Sequence, residues 1–186
     1  VDLESEAYRA ARLRELPFES RRKRMSTIHQ ITNPQSAICN RLAYVKGAPK
    51  EVLALCTSIR LDGQERRLDD ALRAQVISAN DDYARHGLRV LAVAERGLAD
   101  SATQRAGPSQ YTAETVERDL TFLGLIAMMD PPRPEVAEAV EKCHDAGIRI
   151  IMITGDYGLT AESIARRIGI VKGAQPRILT GVELDT

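Results

Sequence analysis

The chain has 186 residues, 44% apolar and 28% charged, a profile that excludes a disordered segment and leaves room for one large domain or one domain plus part of another. Its 26 basic and 26 acidic residues cancel, so nothing draws it in general toward nucleic acid or a membrane surface. The longest apolar run, Phe122 to Met129, is far short of the ~20 residues of a membrane-spanning helix, and the acidic first six residues do not read as a signal peptide.

In chain order, residues 4–15 are polar good helix formers with a weak alanine stripe, which predicts a helix. Met25–Ile31 and Ala37–Val45 are β-prone and flank Thr32-Asn33-Pro34-Gln35-Ser36, which predicts an antiparallel hairpin. Pro49, at a first helical position, opens a short helix through Cys56. Leu68, Ala71, Leu72, Val76, Ala79 and Tyr83 share one stripe, predicting a helix over 68–86 closed by Gly87. Leu88–Ala94 is a predicted strand, 97–118 an exposed polar connection, and Leu120–Met129 a strand buried on both faces.

Beyond Asp130-Pro131-Pro132-Arg133 the pattern becomes strand–helix alternation. Glu135–Ala146 is a predicted helix with Val136, Ala139, Val140 and Cys143 inward, ended by Gly147. Ile148–Ile153 is a predicted buried strand, Thr160–Ile168 a helix, and Arg177–Leu179 the start of another strand. Such alternation signals a parallel, doubly wound sheet, whereas residues 1–129 read as α+β with antiparallel pairing. The two consecutive prolines are stiff and lack N–H donors, so 130–133 cannot continue a sheet and marks a joint between 1–129 and 134–186.

Several short stretches carry possible chemistry. In Lys46-Gly47-Ala48-Pro49 a strand delivers a Lys, a Gly permits close backbone approach, and a helix N-terminus opens, which suits an anion. Alone it is an ordinary strand-to-helix turn with a solvated Lys. Phe18 stands near the four consecutive cations Arg21, Arg22, Lys23 and Arg24, which could stack a base and attract phosphates, or could be a solvated charge run beside a core Phe. Thr154-Gly155-Asp156 ends the apolar run Ile150–Ile153, and ligands of doubly wound sheets bind at such tips. Cys39, Cys56 and Cys143 are too widely spaced for a disulfide framework or a zinc site. His29, His86 and His144 are isolated surface or capping residues, so no metal constellation is expected.

Taken in order, Lys46-Gly47-Ala48-Pro49, Asp130-Pro131-Pro132-Arg133 and Thr154-Gly155-Asp156, with the Pro17-Phe18 stretch upstream, resemble the P-type ATPases. These are ion pumps that pass through an aspartyl phosphate. The Pro-Phe-x-Ser form and the hinge are similar to the calcium and sodium/potassium-type branches. The resemblance implies a nucleotide-binding domain over 1–129, a hinge at 130–133, and part of a haloacid-dehalogenase-like phosphorylation domain over 134–186. It implies that Phe18 stacks on adenine, that Lys23 lines the pocket, that Lys46 and Gly47 lie beside ATP, and that Arg89 reaches its phosphates. As a lone residue Arg89 reads equally as a surface Arg. The family's Arg two positions after the Phe is Ser20 here, leaving Arg21 or Arg22 to take that contact, and Lys50 stands where an acidic residue often follows.

Thr154, Gly155 and Asp156 would sit in the phosphoryl site. The chain has neither Asp-Lys-Thr-Gly-Thr nor Gly-Asp-Gly-x-Asn-Asp, so the nucleophile and the carboxylates that hold catalytic Mg²⁺ are expected elsewhere in a longer pump. The expectation is therefore a piece of a cation pump, at the cytoplasmic face of a membrane in its parent. It would bind ATP without turnover, partnered by the membrane helices, the actuator domain and the remaining phosphorylation domain, and by no nucleic acid. The alternatives are part of a haloacid-dehalogenase-type phosphatase, although no Asp-x-Asp-x-Thr-like motif is present, or a stand-alone nucleotide-sensing module.

Overall fold

The computed structural model describes residues 10–31, 41–98, 111–173, 176–180 and 183. Seven strands build one sheet: β1 (Ala10–Glu19), β2 (Arg24–Ile31), β3 (Arg41–Gly47), β4 (Cys56–Leu61), β5 (Gln64–Arg67), β6 (Arg89–Gly97) and β7 (Leu120–Met128). Their order is β1-β2-β3-β6-β7-β4-β5. The helices are α1 (Pro49–Leu53), α2 (Asp70–Arg85), α3 (Ala113–Val116), α4 (Glu135–Asp145) and α5 (Gly158–Arg167).

The expected β2–β3 pairing is present and antiparallel; its turn, 32–36, lies outside the described residues. The sheet is nevertheless mixed rather than antiparallel, because β4 and β7 run parallel. The helix expected over 4–15 is replaced, at its described end, by the edge strand β1, paired antiparallel with β2. A bulge between Arg12 and Arg14 shifts the register at Leu13. It breaks the period-2 alternation that would have identified a strand, and pairing with β2 outweighs local helix propensity. Pro17 falls in a second irregularity, where a missing N–H costs no ladder bond.

The helix expected to reach Cys56 stops at Leu53, and Cys56 instead opens β4. Arg73 donates to the carbonyls of Leu53, at 2.7 Å, and Cys56, so a cation satisfies backbone acceptors just where α1 ends. At the other side, α2 starts where Asp69 Oδ1 accepts the Leu72 N–H at 2.8 Å, and Gly87, at φ +78°, closes its C-terminal turn. Its stripe holds at Leu68, Leu72 and Val76 but not at Ala71, which is exposed, and then turns: Asn80 and Ala84 are buried, while Ala79 and Tyr83 are exposed.

The described residues form two compact units. The first draws on Val1–Ile77 and Leu91–Ile126, the second on Ser78–Val90 and Ala127–Thr186. One core of the first unit joins Val45, Ala92, Ala94, Leu120 and Phe122 of the sheet to Val52 of α1, with Leu72 and Val76 of α2 packed against it. Another joins Leu16, Ile28 and Ala43 to Leu98, Tyr111 and Val116. Burying side chains of this size stabilises by about 1.5–3 kcal/mol each. The connection expected to be exposed over 97–118 thus contains core residues at its described end, Tyr111 to Glu117, and carries α3. The β7 strand is buried over Leu120–Phe122 and exposed over Ile126–Met128, not buried throughout.

In the second unit α5 is held to 78–90. Thr160 donates to the Leu88 carbonyl at 3.0 Å, and Tyr157 donates to Asp81 at 3.1 Å. Helix α4 ends at Gly147, φ +71°, as its pattern predicts. Its buried residue is Val140, with Val136 and Cys143 half-buried and Ala139 exposed. The strands expected at 148–153 and 177–179 do not form; both stretches are in neither helix nor strand, and Ile151 and Ile153 are 76% and 93% exposed. A parallel strand exists only when a neighbour accepts and donates along its length. No described strand flanks these two segments.

Candidate functional site

The first unit brings two of the flagged stretches together through the backbone. Lys23 adopts a left-handed conformation, φ +51°, and its carbonyl accepts the Ala48 N–H at 2.9 Å, while its own N–H donates to the Glu19 carbonyl at 2.7 Å. The turn between β1 and β2 is thereby fastened to the turn between β3 and α1. Gly47 makes the fastening possible. A Cβ added there would stand 2.5 Å from the Lys23 carbonyl oxygen and 2.5 Å from Arg24 Cβ, so the position has no space for any side chain.

Strand register sets what surrounds this junction. Leu16 pairs with Ser26 and Glu19 with Arg24, so Pro17 and Phe18 together face the single residue Met25. Met25 in turn pairs with Lys46, and Lys46 with Val93. Paired residues share a face of the sheet, and neighbouring strands lie about 4.8 Å apart. Met25, Lys46 and Val93 therefore form a row across the sheet, and Phe18 stands at the β1 end of it. On the opposite face Ser26, Val45 and Ala94 are buried.

Phe18 is 63% exposed, in contrast to Phe122, which lies in the core. A large aromatic left in solvent on a folded sheet is an available stacking surface. Lys46 is exposed and has no ion pair with a described residue. Lys23 is more than half exposed and pairs with Glu51 at 2.8 Å, so a ligand anion at Lys23 competes with a solvent-screened carboxylate, which binds only weakly.

A carboxylate that the sequence left in a polar stretch organises the cations beside Phe18. Glu117 is buried and receives Arg22, Arg24 Nε at 2.7 Å and Ser26 Oγ at 2.7 Å. Burial alone would raise its carboxyl, but the Ser26 hydroxyl and the two guanidiniums outweigh that and hold it below the ordinary value. Arg22 also donates to Glu19 at 2.8 Å and to the Pro17 carbonyl at 2.9 Å. It is therefore committed within the protein and does not stand free in the place of the family's missing Arg, whereas Arg21 is exposed.

The remaining flagged residues belong to the second unit. Arg89 is exposed and pairs with Asp156, Nε to Oδ1 3.5 Å. Thr154 Oγ1 accepts the Asp156 N–H at 3.1 Å and donates to its Oδ2 at 3.2 Å, and Thr154 and Gly155 are exposed. Arg89, expected beside the nucleotide phosphates, thus already has a carboxylate partner. Thr154, Gly155 and Asp156 form a self-satisfied polar turn leading into α5.

Cys56 is a core thiol. Burial pushes it up to about 12 against the opposing charge of Arg73, and it donates to the Val52 carbonyl at 3.2 Å. Cys143 is free and half-buried, and Cys39 lies outside the described residues. His29 Nδ1–H donates to the Ala10 carbonyl at 3.0 Å, and the ring meets Tyr44 edge-on. Among the described residues no group of three or more His, Cys, Asp or Glu could hold a metal ion. No described helix is long and apolar enough to cross a membrane.

Two comparisons with known proteins bear on the family of this chain. Residues 1–135 match the family model described as P-type ATPase, cytoplasmic domain N. A calcium-transporting ATPase of Listeria monocytogenes is 36% identical over 171 residues, 92% of this chain and 18% of that protein. Calcium-transporting ATPase 1 of Saccharomyces cerevisiae is 41% identical over 177 residues, 94% of this chain and 18% of its own length. The alpha-1 subunit of the sodium/potassium-transporting ATPase of Anguilla anguilla is 37% identical over 163 residues, covering 86% of this chain and 16% of the subunit. The chain therefore spans under a fifth of the length of these relatives.

Proposed function

Because the chain belongs to the P-type cation-transporting ATPases, we propose that its first unit is an ATP-binding surface, with adenine stacked on Phe18 and the phosphates directed along the sheet toward Lys46. The observation that carries this reading is the row that starts at exposed Phe18 and crosses half-buried Met25 to exposed Lys46, beside a turn in which Gly47 lets the backbone close on Lys23. Stacking on an aromatic face contributes ~1–3 kcal/mol. Lys46 and Lys23 are solvated and screened, so each contributes modestly. Affinity is accordingly weak and rests more on the base than on the γ-phosphate.

In the longer protein, ATP hydrolysis is coupled to cation transport across a membrane, and the rest of the pump polypeptide is the partner. Residues 130–133 act as hinge between a nucleotide domain over 1–129 and a phosphorylation-domain portion over 134–186. Thr154 and Gly155 contribute to the phosphoryl site there, with Asp156 beside them. Such chemistry is chiefly positioning and electrostatics around a nucleophile, and this chain holds no Asp-Lys-Thr-Gly-Thr. The chain by itself binds nucleotide without turnover.

The test is titration with ATP, ADP and free ribose triphosphate, followed by backbone amide shifts. ATP and ADP should both perturb Phe18, Met25 and Lys46, the triphosphate without a base should not, and Phe18→Ala should abolish the response. Perturbation confined to Thr154–Asp156 would sink this placement. Release of phosphate from ATP by the pure chain would sink the claim of binding without turnover.

A further inference from the structure

The strongest unexplained feature of the first unit is the buried carboxylate of Glu117, which no ligand reading uses. It sits just after α3, 95 residues from Arg22 in sequence, yet its two oxygens take Arg22, Arg24 and Ser26. Its side chain is 1% exposed, and those of Arg22 and Arg24 are 19% and 17% exposed. Arg22 also grips both neighbours of Phe18, the Pro17 carbonyl at 2.9 Å and the Glu19 carboxylate at 2.8 Å. Arg24 Nη1 donates back to the Arg22 carbonyl at 3.0 Å, bridging across Lys23.

We propose that Glu117 is a positioning residue of the nucleotide surface, holding Phe18 and Lys23 in place through Arg22 and Arg24. The inference rests on the placement of adenine at Phe18 argued above. Lys23 needs such support, because a left-handed backbone is unfavourable for a residue with a side chain and persists only where its surroundings over-determine it. Phe18 needs it for another reason. Most of its ring is in solvent and it lies in a strand irregularity, so packing on the ring does little to fix its backbone, and the Arg22 clamp on residues 17 and 19 does so instead.

The same cluster shapes the charge the ligand meets. Of the four consecutive cations, Arg22 and Arg24 are drawn inward onto one carboxylate and Lys23 is shared with Glu51. Arg21 alone among them has no partner among the described residues. The run reads as a phosphate trap in sequence but is mostly internal structure in the fold, so the surface selects for a base more than for bulk anionic charge.

The experiment uses the whole chain with Glu117→Gln, Arg22→Met and the double variant. Glu117→Gln keeps the shape but replaces one acceptor by a donor. Each single variant should weaken ATP binding about five- to tenfold, on the scale of a lost charged hydrogen bond. The double should be no weaker than either, because both break one linkage. In ligand-free protein the Ala48 amide, whose acceptor is the Lys23 carbonyl, should exchange faster in all three, while core amides of α2 stay as in the parent.

A merely structural role would slow or speed all amides together and leave the effects on ATP additive, which would overturn the proposal. So would folded Glu117→Gln with parental ATP affinity and parental Ala48 exchange. If Glu117→Gln fails to fold, Arg22→Met decides in its place, since Arg24 and Ser26 still satisfy the carboxylate. If ATP leaves Phe18 unperturbed in the parent chain, the nucleotide placement has failed and this proposal falls with it. Ala48 exchange then still reports whether Glu117 holds the turn, so the two failures are told apart.

Discussion

The first unit and the segment 148–156 of the second contain equally apolar sequence and reach opposite ends. Ile28 and Val45 are fully buried, between paired strands on one side and core residues on the other. Ile151 and Ile153 belong to the continuous apolar run Ile150–Ile153 and lie in solvent. Hydrophobic pattern is thus an instruction that needs a recipient. In the first unit each β-prone run finds a neighbour within the described residues, and the pattern becomes structure. In 148–156 none is found, and the segment forms the short-range polar turn of Thr154 and Asp156 instead of a strand.

That contrast can be broken most directly by hydrogen exchange. Amides of β2, β3 and β6 should be protected by orders of magnitude over those of 148–156, which have few buried contacts and no ladder. Equal protection in the two regions would refute it. Next in size is a matched pair of substitutions, read by urea unfolding. Ile28→Ala should cost about 2–5 kcal/mol, while Ile153→Ala, at a site 93% exposed, should stay within about 0.5 kcal/mol.

Gly47→Ala sharpens the comparison by asking whether the first unit is closely fitted as well as buried. With the new Cβ 2.5 Å from backbone and from Arg24 Cβ, it should cost about 1–3 kcal/mol; the same change at Gly155, which has nothing within 4 Å of the added atom, should cost far less.

The smallest effect is the pH dependence of Glu117. Its folded carboxyl is held below 4.5, the ordinary value. The stabilisation is therefore complete above the unfolded value and is lost as pH falls through the lower folded one. Glu117→Gln should flatten the acid limb of stability, an outcome checked by urea midpoints across the acid range. An acid limb identical to that of the parent would show that Glu117 is not the group responsible.

Legibility followed the same divide between local and distant causes. Helix α2 and the β2–β3 pairing were readable because their apolar periods and their closing residues lie within a few turns of chain. Strands β4 and β5 escaped notice although Asp62-Gly63 between them is a strong hairpin signal; both residues have positive φ. Every residue of β5 is polar and exposed, so the strand carries no apolar alternation. Phe18, Lys23 and Lys46 could be named from motif resemblance, and their shared neighbourhood then follows from strand register. Glu117 could not be found that way. A Glu in a polar stretch announces nothing, and its partners are 91 to 95 residues away.

The position of β7 has a consequence in time. It is the last of the described strands yet sits between β6 and β4 in the sheet, so the β4–β5 hairpin has no place to dock until β7 has been made. The meander of β1, β2 and β3 closes through short-range pairing and can form early, whereas insertion of β7 must wait and carries a long loop-closure cost. On the ribosome this leaves the β7-facing edge of β4 temporarily unpaired, and the charged residues of β5 give the waiting hairpin one side that resists aggregation. A chain halted at residue 119 should show protected β2–β3 amides and unprotected β4, and protection at β4 in that chain would contradict this order of assembly.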